Sequence, residues 1–174
     1  MNYIMIRTDD MLNGNGLRVV LFCTSCNHYC QNCHNPETWE ASNGILFDNI
    51  AKEKIFNELE KDYISGLTLS GGDPLNESNL DDILNLVKEV KEKYPNKSIW
   101  IYSGYTWNYI YSKKLTTNQN NIKRRKILEL CDIFVDGKFD KEKESVNYPW
   151  AGSTNQKVID IQKTLKKGET VLWE

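Results

Sequence analysis

Leu21-Phe22-Cys23-Thr24-Ser25-Cys26-Asn27-His28-Tyr29-Cys30-Gln31-Asn32-Cys33-His34-Asn35 holds four of the five cysteines in a chain of 174 residues. The last three are spaced Cys26-x3-Cys30-x2-Cys33. Thiolates this close in sequence cannot all face apart, so a short loop carrying them wraps a single centre. Soft sulfur ligands select zinc, copper(I) or iron–sulfur. Structural zinc sites usually place two Cys-x2-Cys pairs well apart, whereas only three residues divide Cys26 from Cys30. Three cysteines in one loop suit a cubane [4Fe-4S] cluster with one iron left open. Cys23 keeps a second reading alive. It forms Cys-x2-Cys with Cys26, so all four could close the cluster; otherwise it faces the core at the end of its strand.

The residues before the loop decide the fold class. Leu17–Cys23 is short, apolar and rich in β-branched residues, the profile of a buried strand. The cysteines therefore hang from a strand's C-terminal end, the edge where α/β architectures bind ligands. Downstream, Thr38–Phe47 reads as a polar connection. A helix opens at Asp48, with Ala51, Ile55 and Leu59 on one face. Tyr63–Leu69 is a strand that ends in Ser70-Gly71-Gly72-Asp73-Pro74, where paired glycines let backbone approach a ligand closely. Ser78 and Asp81 form a capping-box pattern ahead of the stripe Leu80, Ile83, Leu84, Val87 and Val90. Ser98–Tyr102 is a further strand, closed by Ser103-Gly104. A helix around Lys123–Leu130 precedes the strand Asp132–Val135 and Asp136-Gly137-Lys138.

Strand and helix in this rhythm mean parallel βαβ units with right-handed crossovers. The expected fold is α/β, a partial, open β/α barrel with a mostly parallel sheet, since too few units fit for closure. One domain spans 1–174, with an irregular lead-in over 1–16 and a C-terminal extension over about 157–174. The lysine- and asparagine-rich stretch Ser112–Arg125 reads as a solvated loop or an insertion.

Composition is that of an ordinary globule, 40% hydrophobic and 26% charged. A formal net charge of −2 gives no electrostatic reason to expect nucleic acid as a partner. No apolar run is long enough to span a bilayer, and the first ten residues lack a signal-peptide pattern. Cysteines clustered in one loop point to a reducing cytoplasm and a metal site rather than a disulfide scaffold.

Cys26-x3-Cys30-x2-Cys33 resembles the cluster loop of the radical S-adenosylmethionine superfamily. Asn13-Gly14-Asn15-Gly16-Leu17-Arg18 and Phe22 before it, with Asn35 and Thr38-Trp39 after it, resemble the activating enzymes of glycyl-radical enzymes. Ser70–Leu75, Asp136-Gly137-Lys138-Phe139 and Trp150-x-Gly152-Ser153-x-Asn155-Gln156 resemble one branch, the activators of anaerobic (class III) ribonucleoside-triphosphate reductase. The resemblance runs from Met1 to about Gln156.

It implies a [4Fe-4S] cluster on Cys26, Cys30 and Cys33, with Cys23 left out, and S-adenosylmethionine bound at the open iron. It implies an enzyme that makes a glycyl radical on the reductase, fed by a low-potential donor such as flavodoxin or ferredoxin. Cofactor contacts would come from Asn32, Cys33, His34, Ser70, Gly71, Gly72, Asp73, Ser103, Asp136 and Lys138. Asp73 would face the methionyl ammonium, Lys138 the carboxylate or ribose side, and Asp136 a ribose hydroxyl or cation. A surface ion pair is the plain reading of Asp136 and Lys138. The family usually has glycine at Ser25 and tyrosine at His34; His28 reads as an exposed loop residue. Trp150 belongs either to a docking face for a protein substrate or to the core. Two other functions fit the cysteines: a small-molecule radical enzyme resembling 7-carboxy-7-deazaguanine synthase, and a non-enzymatic four-cysteine iron–sulfur or zinc module.

Overall fold

The computed structural model describes residues 1–174. Its strands are β1 (Asn2–Asp10), β2 (Arg18–Cys23), β3 (Ile45–Leu46), β4 (Gly66–Gly71), β5 (Ser98–Ser103), β6 (Ile133–Asp136) and β7 (Lys157–Asp160). Its helices are α1 (Asn49–Leu59), α2 (Leu80–Lys93), α3 (Trp107–Ile110), α4 (Gln119–Leu130) and α5 (Ile161–Lys167). All seven strands join one sheet, in the order β3-β1-β2-β4-β5-β6-β7. The pairs β2–β4, β4–β5 and β5–β6 are parallel, while β1, β3 and β7 extend the edges antiparallel. The sheet stays open, and the expected α/β class holds.

The central strands are buried on both faces, as parallel strands are. Period-two alternation sends Val19, Leu21, Leu67, Leu69, Ile99, Ile101, Phe134 and Ile159 into the main core. That core is closed by α1, α2 and α4 through Ile55, Leu59, Ile83, Val87, Val90, Ile127 and Leu128. The opposite face carries Trp100, Ile133, Val135 and Val158, with Tyr102, Trp150 and Trp173 packed against them. Trp100 meets Trp150 at 5.8 Å and Trp173 at 5.2 Å, both edge-on.

Asp48 caps α1 as expected, accepting from the Ala51 N–H at 2.9 Å. Several local expectations need correction. The lead-in is not irregular: β1 pairs with β2 across Tyr3–Asp10. No capping box starts α2, whose N-cap is Asn79; Ser78 turns instead to Asn76. On α2 it is Leu86, rather than Leu84, that is fully buried. Half of Ser112–Arg125 is helix, since α4 begins at Gln119 and buries Asn121 and Arg124. The extension after 157 belongs to the sheet through β7. No helix is long and apolar enough to cross a membrane.

Candidate iron–sulfur site

The C-terminal ends of β2, β4, β5 and β6 meet at one cavity of about 330 Å³. Cys26, Cys30 and Cys33 line it together with Ser70, Gly71, Gly72, Ser103, His34 and Lys138. Residues some hundred positions apart in sequence therefore share one wall. Each reaches it because a parallel strand ends there.

Cys23 does not line the cavity. It shares parity with Val19 and Leu21, so its side chain points to the helix-covered face. It is fully buried, and its thiol donates to the Ser70 carbonyl at 3.2 Å. Burial raises its pKa well above the ordinary thiol value. A closed four-cysteine set has no support in this arrangement. Nor does any group of three His, Cys, Asp or Glu side chains close on a point that would hold a single ion.

The loop is held by its own backbone. Cys26 N–H donates to Trp39 O at 3.0 Å, Cys33 N–H to Cys30 O at 3.1 Å, and Asn35 N–H to Cys33 Sγ at 3.4 Å. Burial pushes the Cys26 thiol up to about 11 and raises Cys30 too. Both are therefore protonated in the bare chain at neutral pH, and a cluster must displace those protons.

The loop is also strained. Ser25, Tyr29 and Asn32 have φ of 72°, 47° and 56°, left-handed values unusual for residues with a Cβ. Ser25 thus keeps the conformation a glycine would adopt freely. Its hydroxyl makes none of the hydrogen bonds that tie the loop down. Ser25→Gly is expected to stabilise the fold by about 0.5–1 kcal/mol, the relief of left-handed strain less the added chain entropy. Denaturant unfolding of the cluster-free protein measures this. A loss of stability would mean the serine contributes more than its backbone strain costs.

Gly71 is needed for close approach as well as for its φ of 97°. A Cβ there would sit 2.6 Å from the Cys23 carbonyl oxygen. The glycine-rich turn is stitched to the cysteine loop by Gly72 N–H to Cys23 O at 2.8 Å and Asp73 N–H to Ser25 O at 3.0 Å. Asn79 adds its amide, donating to Thr24 O and Asp73 O.

Three of the expected contacts, and the expected exposure of His28, fall differently. Asp73 is 1% exposed and lies behind the cavity wall, accepting from Leu75 N–H, Ser103 Oγ, Gly104 N–H and His28. Asp136 is also buried, accepting from the backbone N–H groups of Trp107 and Lys157; burial raises its pKa. It is neither a surface ion pair nor a lining residue, and it anchors α3 and β7. Asn32 is exposed and makes the turn between two cysteines. His28, expected in solvent, is largely covered and lines the cavity. Lys138 does face the cavity, reaching His28 O at 3.3 Å. His34 is mostly exposed, tilted over Phe139 at 4.9 Å. Trp150 is half-buried against Trp100, and it also lines the cavity.

Residues 12–159 match the family description "4Fe-4S single cluster domain". The chain is 41% identical over 158 residues to the anaerobic ribonucleoside-triphosphate reductase-activating protein of enterobacteria phage T4, covering 91% of this chain and 93% of that one. It belongs to the family of anaerobic ribonucleoside-triphosphate reductase-activating proteins. The activating protein of Haemophilus influenzae is 37% identical over 90% of this chain and 96% of its own. That of Escherichia coli K12 is 35% identical over 93% of this chain and its own full length. The family match runs from before β2 into β7, so the cavity and the strands whose ends build it lie within it. Besides His28, the cavity is lined by Phe139, Gly152 and Gln156, none of which was expected as a contact. Their only signal was membership in the family's later motifs.

Proposed function

We propose that this activating protein is an oxidoreductase of the radical S-adenosylmethionine type that installs a glycyl radical on an anaerobic ribonucleoside-triphosphate reductase. One observation carries the reading: three cysteines and a glycine-rich backbone edge open into the same cavity, at the ends of four adjacent strands. Its volume falls in the range of about 300–1,000 Å³ typical of small-molecule sites. The donors also fit a cluster, being soft thiols with an amide aimed at one of them. When bound, the cluster and S-adenosylmethionine supply one-electron cleavage of the S–C5′ bond and a radical able to take hydrogen from a glycine Cα.

The chain's own residues bind and orient. Cys26, Cys30 and Cys33 would hold three irons. Ser70, Gly71 and Gly72 present a close backbone edge to the methionyl end, and the Lys138 ammonium suits its carboxylate. His34, on Phe139, offers a ring face to the adenine. Ser103 supports the wall through Asp73. The cavity is open to solvent on one side, where the partner's glycine loop would enter. The reducing electron would come from a low-potential carrier such as flavodoxin or ferredoxin, and the setting would be an anaerobic cytoplasm.

Anaerobic reconstitution with iron and sulfide tests this reading. The reduced protein should convert S-adenosylmethionine to methionine and 5′-deoxyadenosine in equal amounts. A protein that assembles its cluster but leaves S-adenosylmethionine intact would refute it.

A further inference from the structure

His28 stands midway between Cys26 and Cys30, yet its side chain is only 11% exposed. Its Nε2 lies 2.6 Å from Asp73 Oδ2. Ser103 Oγ at 3.0 Å and Gly104 N–H at 3.2 Å donate to the same oxygen, and Leu75 N–H donates to Oδ1 at 2.8 Å. Every one of these partners is a donor, so His28 gives its Nε2 hydrogen to the carboxylate. Asp73 is thereby fully engaged by protein groups and absent from the cavity wall. It joins three segments that are far apart in sequence: the cysteine loop, the glycine-rich turn and the end of β5.

Packing confirms that the ring's place is built. His28 meets Tyr105 edge-on at 4.7 Å. A Cβ on Gly104 would fall 2.3 Å from the His28 ring. Gly104 does not have a positive φ, so glycine stands there to leave room for the imidazole.

We propose that His28 is a positioning residue whose hydrogen bond to Asp73 locks the cysteine loop onto the Ser70–Gly72 edge and so sets the affinity for S-adenosylmethionine without ligating the cluster. The proposal rests on the radical S-adenosylmethionine reading above. A loop with three left-handed residues holds its shape only if its surroundings over-determine it. Backbone bonds fix the loop at Cys26 and Cys33, and His28 fixes its middle. A site already in its binding geometry spends less free energy on ordering.

The test is a double-mutant cycle on the anaerobically reconstituted protein. Iron content and S-adenosylmethionine affinity are read for wild type, His28→Ala, Gly104→Ala and the double variant. Both single variants should keep wild-type iron and bind roughly 10- to 100-fold more weakly, the loss expected for a buried charge-assisted hydrogen bond. The added methyl of Gly104→Ala points at the imidazole, so it should cost almost nothing once His28 is gone. The double variant should therefore match His28→Ala. His28→Gln, which keeps a donor, should recover most of the affinity. The cluster's resonance should shift on adding S-adenosylmethionine in wild type and His28→Gln alike.

Additive losses in the cycle would overturn the clasp, as would a His28→Ala affinity within threefold of wild type. Loss of iron in His28→Ala would overturn it too, by placing the residue on the cluster. A wild-type protein that holds its cluster but gives no response to S-adenosylmethionine would refute the underlying reading, and the clasp with it.

Discussion

Alanine at any one of Cys26, Cys30 or Cys33 is expected to abolish the [4Fe-4S] cluster, while Cys23→Ala leaves it in place. The three line one cavity, and Cys23 is turned to the opposite face with its thiol on the Ser70 carbonyl. A cubane held by three thiolates has no spare ligand, so losing one removes a corner outright. Cys23→Ala only trades a buried sulfur for a methyl. That costs about 1–2 kcal/mol of packing and no ligand. Iron and sulfide analysis with the reduced cluster's electron paramagnetic resonance separates the cases. A Cys23→Ala protein without the signal would mean that the β2 end rearranges to offer a fourth thiolate.

Arg18→Met should destabilise the fold by about 3 kcal/mol. Arg18 has no exposed surface, and its hydrogen bonds go to carbonyls and hydroxyls rather than to a carboxylate. Its guanidinium donates to Thr68 Oγ1 at 2.7 Å, to Asn15 O and Ser98 Oγ at 3.0 Å, to Leu67 O at 2.8 Å and to Ser98 O at 2.9 Å. It also lies over the Trp100 ring. Two effects oppose each other. Burial disfavours the charge, lowering the pKa to about 10, and methionine would remove that cost. Against it, three carbonyls and two hydroxyls lose a donor, at about 1–3 kcal/mol for each left buried and unpaired. The second effect wins because those acceptors stay where the strands hold them. A melting temperature lower by about 6–12 °C is the expected reading for a chain of this size. A shift under 2 °C would show that the acceptors find other partners.

What was legible in the chain follows from how locally each feature is encoded. β2 announced itself by an unbroken apolar run, and α1 by Asp48 and its four-residue stripe. The cysteine loop was plain because its ligands are adjacent in sequence. β1 was hidden, since only Ile6 and Asp10 in it are buried and its alternation is weak. The helix around Lys123–Leu130 was visible, but the first turn of α4, from Gln119, was masked by polar residues. Asn121 and Arg124 look solvated but are buried with backbone partners, the Ile110 and Leu75 carbonyls. At the site, Asp73 and Asp136 were visible as carboxylates at strand ends. Whether such a group faces a ligand or the backbone depends on donors 29–45 residues away, such as His28 and Trp107. No spacing rule reports that.

In the proposed reaction this protein moves a hydrogen atom from a glycine of its reductase. The most direct test mixes the reduced, cluster-loaded protein with S-adenosylmethionine and an anaerobic ribonucleoside-triphosphate reductase whose glycines carry deuterium at Cα. A glycyl radical resonance should appear on the reductase, with one deuterium in 5′-deoxyadenosine. Cleavage of S-adenosylmethionine with no radical on the reductase and no deuterium in the product would contradict it.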